Sequence, residues 1–289
     1  MDATLTPLLK RVPVRGIEIA VREWPGKQTP FVLVHGLASK ARTWDHVAAY
    51  LSERGHRVVS IDQRGHGLSA KPDEGYGFEE VASDLRVLIS EIELDHPVLA
   101  GQSWGGNVVL EYAARWPETL RGLVLVDGGF IELGADPHAT WEQIAIDLKP
   151  PPLAGTPHDQ MLARMQSFHG DWPAETIDMA MANFETLSDG TIRPWLTLDR
   201  HMLILRALWD QKTSEVYPLV KTPTLIAVAD AGGNERRQQR KAAEVANAEA
   251  GLPNARAHWF RDTHHDIHME RPADLAQWML DALDDGFFA

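Results

Sequence analysis

Hydrophobic and polar positions along this chain change period several times, and each change marks an element. Two alternating stretches open it, at residues 10–14 and 16–23, closed by the turn signal Pro25-Gly26. A short apolar run follows, Phe31-Val32-Leu33-Val34, ending at His35-Gly36. A run that short and that β-branched predicts a strand buried on both faces. Residues 41–54 then carry Trp44, Val47, Ala48 and Leu51 on one side at helical spacing. The pattern repeats as a strand at 57–61, a glycine-rich loop at 62–72 and a helix at 79–94. A strand at 97–100, a helix at 103–116 and a strand at 120–126 complete this half.

Strands alternating with helices predict parallel pairing through right-handed crossovers, hence a doubly wound α/β sheet. From about Phe130 to Leu219 the alternation stops; the region reads as prolines and short helical patterns with no strand-like run. It resumes as strand 224–229, helix 234–250, strand 255–260 and closing helix 272–283. The pattern predicts a mostly parallel sheet of about eight strands. Residues 1–129 and 220–289 would form this core, with 130–219 inserted as a helical cap.

Composition narrows the functions available. At 289 residues, with 44% hydrophobic and 24% charged, the chain suits one large α/β domain with an insertion. A net charge of -13 argues against nucleic acid as a partner, because such binding needs clustered Lys and Arg against phosphate. It also disfavours an anionic membrane surface. Cysteine is absent, which removes disulfides, thiolate metal sites and thiol nucleophiles. Residues 1–15 lack the apolar core of a signal peptide, and no stretch approaches the ~20 apolar residues of a membrane span. A cytoplasmic location is the expectation.

The strongest chemical signal is Gly101-Gln102-Ser103-Trp104-Gly105, set where a predicted strand becomes a predicted helix. A serine on that sharp turn is strained and projects its hydroxyl above the sheet edge, and neighbouring chain passes so close that only glycine fits beside it. Outside this context the same serine would simply cap a helix. His35-Gly36-Leu37 follows an early strand, and we assign the N–H groups of Leu37 and Trp104 as donors to a developing oxyanion. Two such donors contribute on the order of 3 kcal/mol each. His35 itself reads as structural. A base for Ser103 must come from a loop at the same sheet edge, and the segment from His264 to Pro272 offers His264, His265 and His268. His264 and His268 stand four apart, but a loop is expected there and the His-Glu-x-x-His pattern is missing. No metal is therefore expected, and both side chains read as solvated or capping.

These features resemble the α/β-hydrolase fold superfamily, specifically serine esterases and lactonases with a helical cap, over nearly the whole chain. The residues that carry the likeness are His35-Gly36, the loop Asp62-Gln63-Arg64-Gly65-His66-Gly67-Leu68-Ser69, the Ser103 turn, and His265 with Glu270 and Pro272 behind it. The resemblance selects His265 as the base and makes the Asp62 loop structural. It also implies a triad carboxylate after strand 224–229, where this chain reads Ala229-Asp230-Ala231-Gly232-Gly233 and puts Gly232 at the usual acid position. A family variant carries the acid one strand earlier, which here is Asp127 in Val126-Asp127-Gly128-Gly129. Asp127 is the favoured acid, with Asp230 as the alternative and Glu235 a distant third.

A serine nucleophile implies an acyl-enzyme that water hydrolyses, with no cofactor. Relatives acting on epoxides or alkyl halides have aspartate there instead. The insertion holds Trp141, Trp172, Trp195 and Trp209 with Met161, Met165, Met179, Met181 and Met202. Some form its own core; together they imply an apolar, adaptable wall. Gly36, Trp104, Trp141 and Met179 are the candidate substrate contacts. The expected partner is a small or medium apolar ester or a lactone. Three rivals remain: a serine-dependent C–C bond hydrolase of β-diketones, a non-catalytic receptor on the same fold, and a metal-dependent hydrolase.

Overall fold

The structure, a computed structural model, describes residues 6–232 and 234–289; the first five residues of the expected core, and Gly233 of the turn after Asp230, lie outside it. Strands β1 (Leu8–Val14), β2 (Ile17–Trp24) and β3 (Gln28–Val34) lead into helix α1 (Asp45–Glu53), which a 3-10 turn at Ala41–Trp44 introduces. Then follow β4 (His56–Ile61), α2 (Phe78–Glu91), β5 (Val98–Gln102), α3 (Trp104–Arg115) and β6 (Gly122–Val126). The observed elements match the periodicity to within a few residues, because each is long enough to show its own repeat.

The insertion carries α4 (Trp141–Asp147), β7 (Thr156–Pro157), α5 (His158–Phe168), α6 (Ala174–Met181), β8 (Phe184–Thr186), β9 (Thr191–Pro194), α7 (Leu198–Asp210) and α8 (Thr213–Val216). It therefore contains a small antiparallel sheet in the order β7-β9-β8, contrary to the expectation of a strand-free region. These strands are two to four residues long. Such segments are too short to display alternation. Met161, Ile177, Met181 and Ile192 form a satellite core within the insertion.

The main chain of elements closes with β10 (Thr224–Asp230), α9 (Glu235–Gly251), β11 (Ala255–Arg261), α10 (Ile267–Glu270) and α11 (Pro272–Asp284). The eight-stranded sheet runs β1-β2-β4-β3-β5-β6-β10-β11. Only the β1–β2 and β2–β4 pairs are antiparallel. Alternate strand residues serve opposite faces. Val32 and Val34 join α2 and α3 in one core, while Phe31 and Leu33 join α1 and α11 in the other. After β3 the chain adds β4 on one side and β5 on the other, so the crossover direction reverses between β3 and β5. The carboxyl ends of two such strands open a crevice that helices cannot fill. Among the described residues no helix is long and apolar enough to cross a membrane.

Candidate active site

Ser103 sits at the end of β5, beside that reversal, with φ 53° and ψ −123°. A non-glycine residue in this region costs about 1–3 kcal/mol, sustained only where the surroundings force it. Here they do. Ser103 N–H donates to Val126 O at 2.9 Å, and Ser103 O accepts from Gly106 N–H at 2.8 Å. A Cβ on Gly101 would lie 2.2 Å from Gly105 O, and one on Gly105 would lie 2.5 Å from His35 O. Strand, turn and helix are thus pressed together at positions where no side chain fits.

The loop after β3 lies directly against the serine. A Cβ on Gly36 would meet the Ser103 Cβ at 3.1 Å and Gln102 Oε1 at 2.3 Å. His35 holds this loop: its Nδ1 contacts Gly36 O at 2.7 Å, and its Nε2 accepts from Gln63 N–H at 3.1 Å. Burial pushes the ring down to about 4, so it is neutral and structural. The Asp62 loop braces the same region. Asp62 accepts from Ala41 N–H and Leu68 N–H at 2.8 and 2.7 Å, and His66 Nε2 accepts from Ala38 N–H at 3.3 Å. The N–H groups of Leu37 and Trp104 enter no hydrogen bond among the described residues.

His265 follows β11. Gln102, next to the serine, donates its side-chain amide to His265 O at 3.3 Å and to Asp266 Oδ1 at 3.4 Å, tying that loop to the Ser103 turn. Asp127, at φ 42° after β6, meets His265 Nδ1 through Oδ2 at 2.6 Å. The carboxylate is almost wholly enclosed, whereas the imidazole is 46% exposed. Among the described residues no hydrogen bond joins the Ser103 hydroxyl to the ring. Such contacts commonly tighten only when substrate binds. Burial opposes charge on both groups. The bond and the attraction between them prevail, lowering the Asp127 carboxyl and raising His265.

Asp230 turns away: its Oδ1 accepts from Gly232 N–H at 3.3 Å and Gln238 Nε2 at 3.4 Å. Glu235 opens α9, where its Oε1 accepts from Gln239 at 3.1 Å. His264 is exposed and bonds Glu270. His268 corrects an expectation: it is buried rather than solvated, on a turn of helix rather than a loop. Its ring lies 4.6 Å from that of Trp44, neither nitrogen has a hydrogen-bond partner, and burial pushes it down to about 3. His264 is thus exposed and His268 buried, and among the described residues no group of His, Cys, Asp and Glu could hold a metal.

Of the other candidate contacts, Met179 is buried against Met269, beside the His265 loop. Trp104 is fully enclosed and stacks on His66 at 5.3 Å, so it packs beneath the site instead of walling it. Trp141 lies under the exposed Arg206 guanidinium, 5.1 Å from its ring. One participant escaped the sequence altogether. Lys241 on α9 reaches both Asp127 oxygens at 2.9 Å. Its helix is polar at most positions, and nothing there distinguishes this lysine from its exposed neighbours.

Comparison with known proteins agrees with this architecture. The model of the alpha/beta hydrolase family matches residues 31–278. The chain is 34% identical over 118 residues to the 2-(acetamidomethylene)succinate hydrolase of Mesorhizobium japonicum, covering 41% of this chain. That stretch spans only 42% of the relative's own length. The AB hydrolase superfamily protein YisY of Bacillus subtilis is 27% identical over 214 residues, covering 70% of this chain and 73% of that one. The crystal structure of E-2-(acetamidomethylene)succinate hydrolase superposes with a TM-score of 0.79 at 22% identity, over 96% of this chain and 99% of the other, a likeness of fold.

Proposed function

The chain belongs to the alpha/beta hydrolase family, and from that premise we propose that it hydrolyses carboxylic esters through an acyl-enzyme on Ser103. The observation that carries the reading is the 2.6 Å contact between His265 Nδ1 and Asp127 Oδ2. It fixes the tautomer, so that Nε2 is the basic nitrogen. Nε2 takes the Ser103 proton as Oγ bonds the carbonyl carbon. The oxygen that becomes anionic is received by Leu37 N–H and Trp104 N–H. The imidazolium then returns its proton to the departing alcohol. Water enters by the same route in reverse, its proton going to Nε2, and frees the acid and the serine.

Residues 130–219 act as the cap in this reading, and the substrate is a small or medium apolar ester or a lactone. Support comes from the partly buried Leu37, Ile131 and Leu133 packed on the core beside Phe130, and from Met179 and Met269. A second substrate reading rests on Lys40, on the same loop as Gly36. Its ammonium lies 5.1 Å from the Trp195 ring of the inserted segment, where it would favour an acyl group bearing a carboxylate. The likeness to a 2-(acetamidomethylene)succinate hydrolase, whose named substrate is a succinate derivative, points the same way.

A panel of nitrophenyl esters, lactones, ester half-acids and β-diketones, run with wild type and Ser103→Ala, tests both readings. Ester turnover abolished in Ser103→Ala, with fluorophosphonate labelling lost in that variant and in His265→Ala, is the expected result. Turnover that survives Ser103→Ala overturns the mechanism. Faster cleavage of diketones than of any ester replaces the ester assignment by C–C bond hydrolysis.

A further inference from the structure

Asp127 is saturated in an unusual way. Oδ1 accepts from Ala229 N–H at 3.0 Å, Oδ2 faces His265, and Lys241 Nζ straddles both oxygens at 2.9 Å each. The same ammonium donates its third bond to Ala229 O at 3.0 Å, so all three of its protons are directed. Lys241 is largely enclosed, with 22% of its side chain exposed, against 3% for Asp127. An ion pair between solvent-exposed groups has little fixed geometry. This one is shielded, bidentate and anchored to the strand end, and it therefore fixes the plane of the carboxylate.

We propose that Lys241 is a positioning residue of this site: it holds the Asp127 carboxylate in register with His265 and shares its negative charge, keeping the imidazole basic form populated to lower pH. The inference rests on the reading of His265 as general base. A carboxylate with no second cation would favour imidazolium by its full charge. Lys241 offsets part of that charge, and the base is freed of its proton at a lower pH than Asp127 alone would allow. The groups that face the pair are few. Asp266 on the His265 loop favours imidazolium, whereas Lys241 opposes it. His268 on α10 is neutral from burial, and Glu244, one turn along α9 from Lys241, is raised by its own burial. Among the described residues, Lys241 is the cation in direct contact with Asp127 besides His265 itself.

The test compares Lys241→Met, which keeps length without charge, and Lys241→Arg, which keeps charge and two donors. Two quantities are read: the pH profile of kcat/KM on the best ester, and the titration midpoint of the His265 imidazole by NMR in a Ser103→Ala background. Lys241→Met should raise the midpoint by about one unit, so that activity on the acid limb falls about tenfold while the alkaline plateau changes far less. Lys241→Arg should restore both. A Lys241→Met midpoint that stays put or falls, with kcat/KM reduced equally at every pH, overturns the proposal and leaves Lys241 a structural pair. Should Lys241→Met fold poorly, Lys241→Gln reads the same midpoint. The NMR measurement needs no turnover, so failure of the ester reading and failure of this proposal give different results.

Discussion

At the scale of single residues, the deciding competition is between two aspartates for one imidazole nitrogen. Asp127 reaches His265 Nδ1 at 2.6 Å, whereas Asp230 spends its carboxylate on Gly232 N–H and Gln238. Asp127→Asn keeps the shape but can donate to Nδ1, which turns the ring into the wrong tautomer. We expect kcat to fall by about 10⁴ in that variant. Asp230→Asn should stay within about threefold of wild type, because it touches neither Ser103 nor His265. Steady-state rates on one ester, measured on the alkaline plateau, check both. A large loss in Asp230→Asn with little in Asp127→Asn would return the acid to the β10 turn. The same scale shows what sequence could not reach. Ser103 and His265 announce themselves by local motifs, and Asp127 by its place after a strand. Lys241 acts only through a contact 114 residues away in the chain. His268 also misled, since a histidine in a polar run gives no sign that the run folds back against Trp44.

At the scale of elements, the site is three strand ends clamped by glycine. The turn after β6 presses on the turn after β5: a Cβ on Gly128 would lie 2.1 Å from Ser103 O and 2.6 Å from Ser103 N. Backbone atoms cannot give way as a flexible side chain can. Gly128→Ala must therefore move Ser103, Asp127 or both. Displacement of about 1 Å in a reacting group costs on the order of 10² in rate, and kcat/KM should fall by that amount while the fold survives. Gly190→Ala is the control. It stands at φ 80° with nothing near its Cβ position, so it should lower the melting temperature modestly and leave kcat/KM unchanged. Comparable rate losses in both variants would deny that the clamp matters. Elements of this core were legible because strands of five or more residues and amphipathic helices each display their period. The insertion was not, because β7, β8 and β9 are shorter than one detectable repeat; in the core, α10 escaped for the same reason, being a single turn before Pro272.

At the scale of the whole molecule, buried neutral histidines set the response to acid. His35 and His268 are pushed down to about 4 and about 3 by burial, and His66 lies well below its ordinary value for the same reason. The unfolded chain binds protons at these three rings as pH falls through about 6.5, and the folded chain does not. Stability present above that pH is therefore lost on acidification, by up to about 1.4 kcal/mol per unit each for His35 and His268 until their folded values are reached, and His66 adds to the loss in the same direction. His265 has the opposite sign, because its folded value is raised and the native state gains its proton first. So do the carboxyls of Asp45, Glu244 and Asp266, which burial raises, whereas His201, lowered by burial, adds to the loss. Easing of repulsion in a chain of net charge -13 also opposes the loss, but it acts between surface charges that salt screens. The melting temperature should thus fall steadily between pH 6.5 and 4.5. His268→Phe keeps a ring against Trp44 and removes two buried nitrogens that have no partner. Its melting temperature should therefore fall less steeply as the pH drops. Calorimetric scans at fixed ionic strength would show this; parallel curves for the two proteins would mean that His268 is protonated or solvated in the folded state, and that the acid response originates elsewhere.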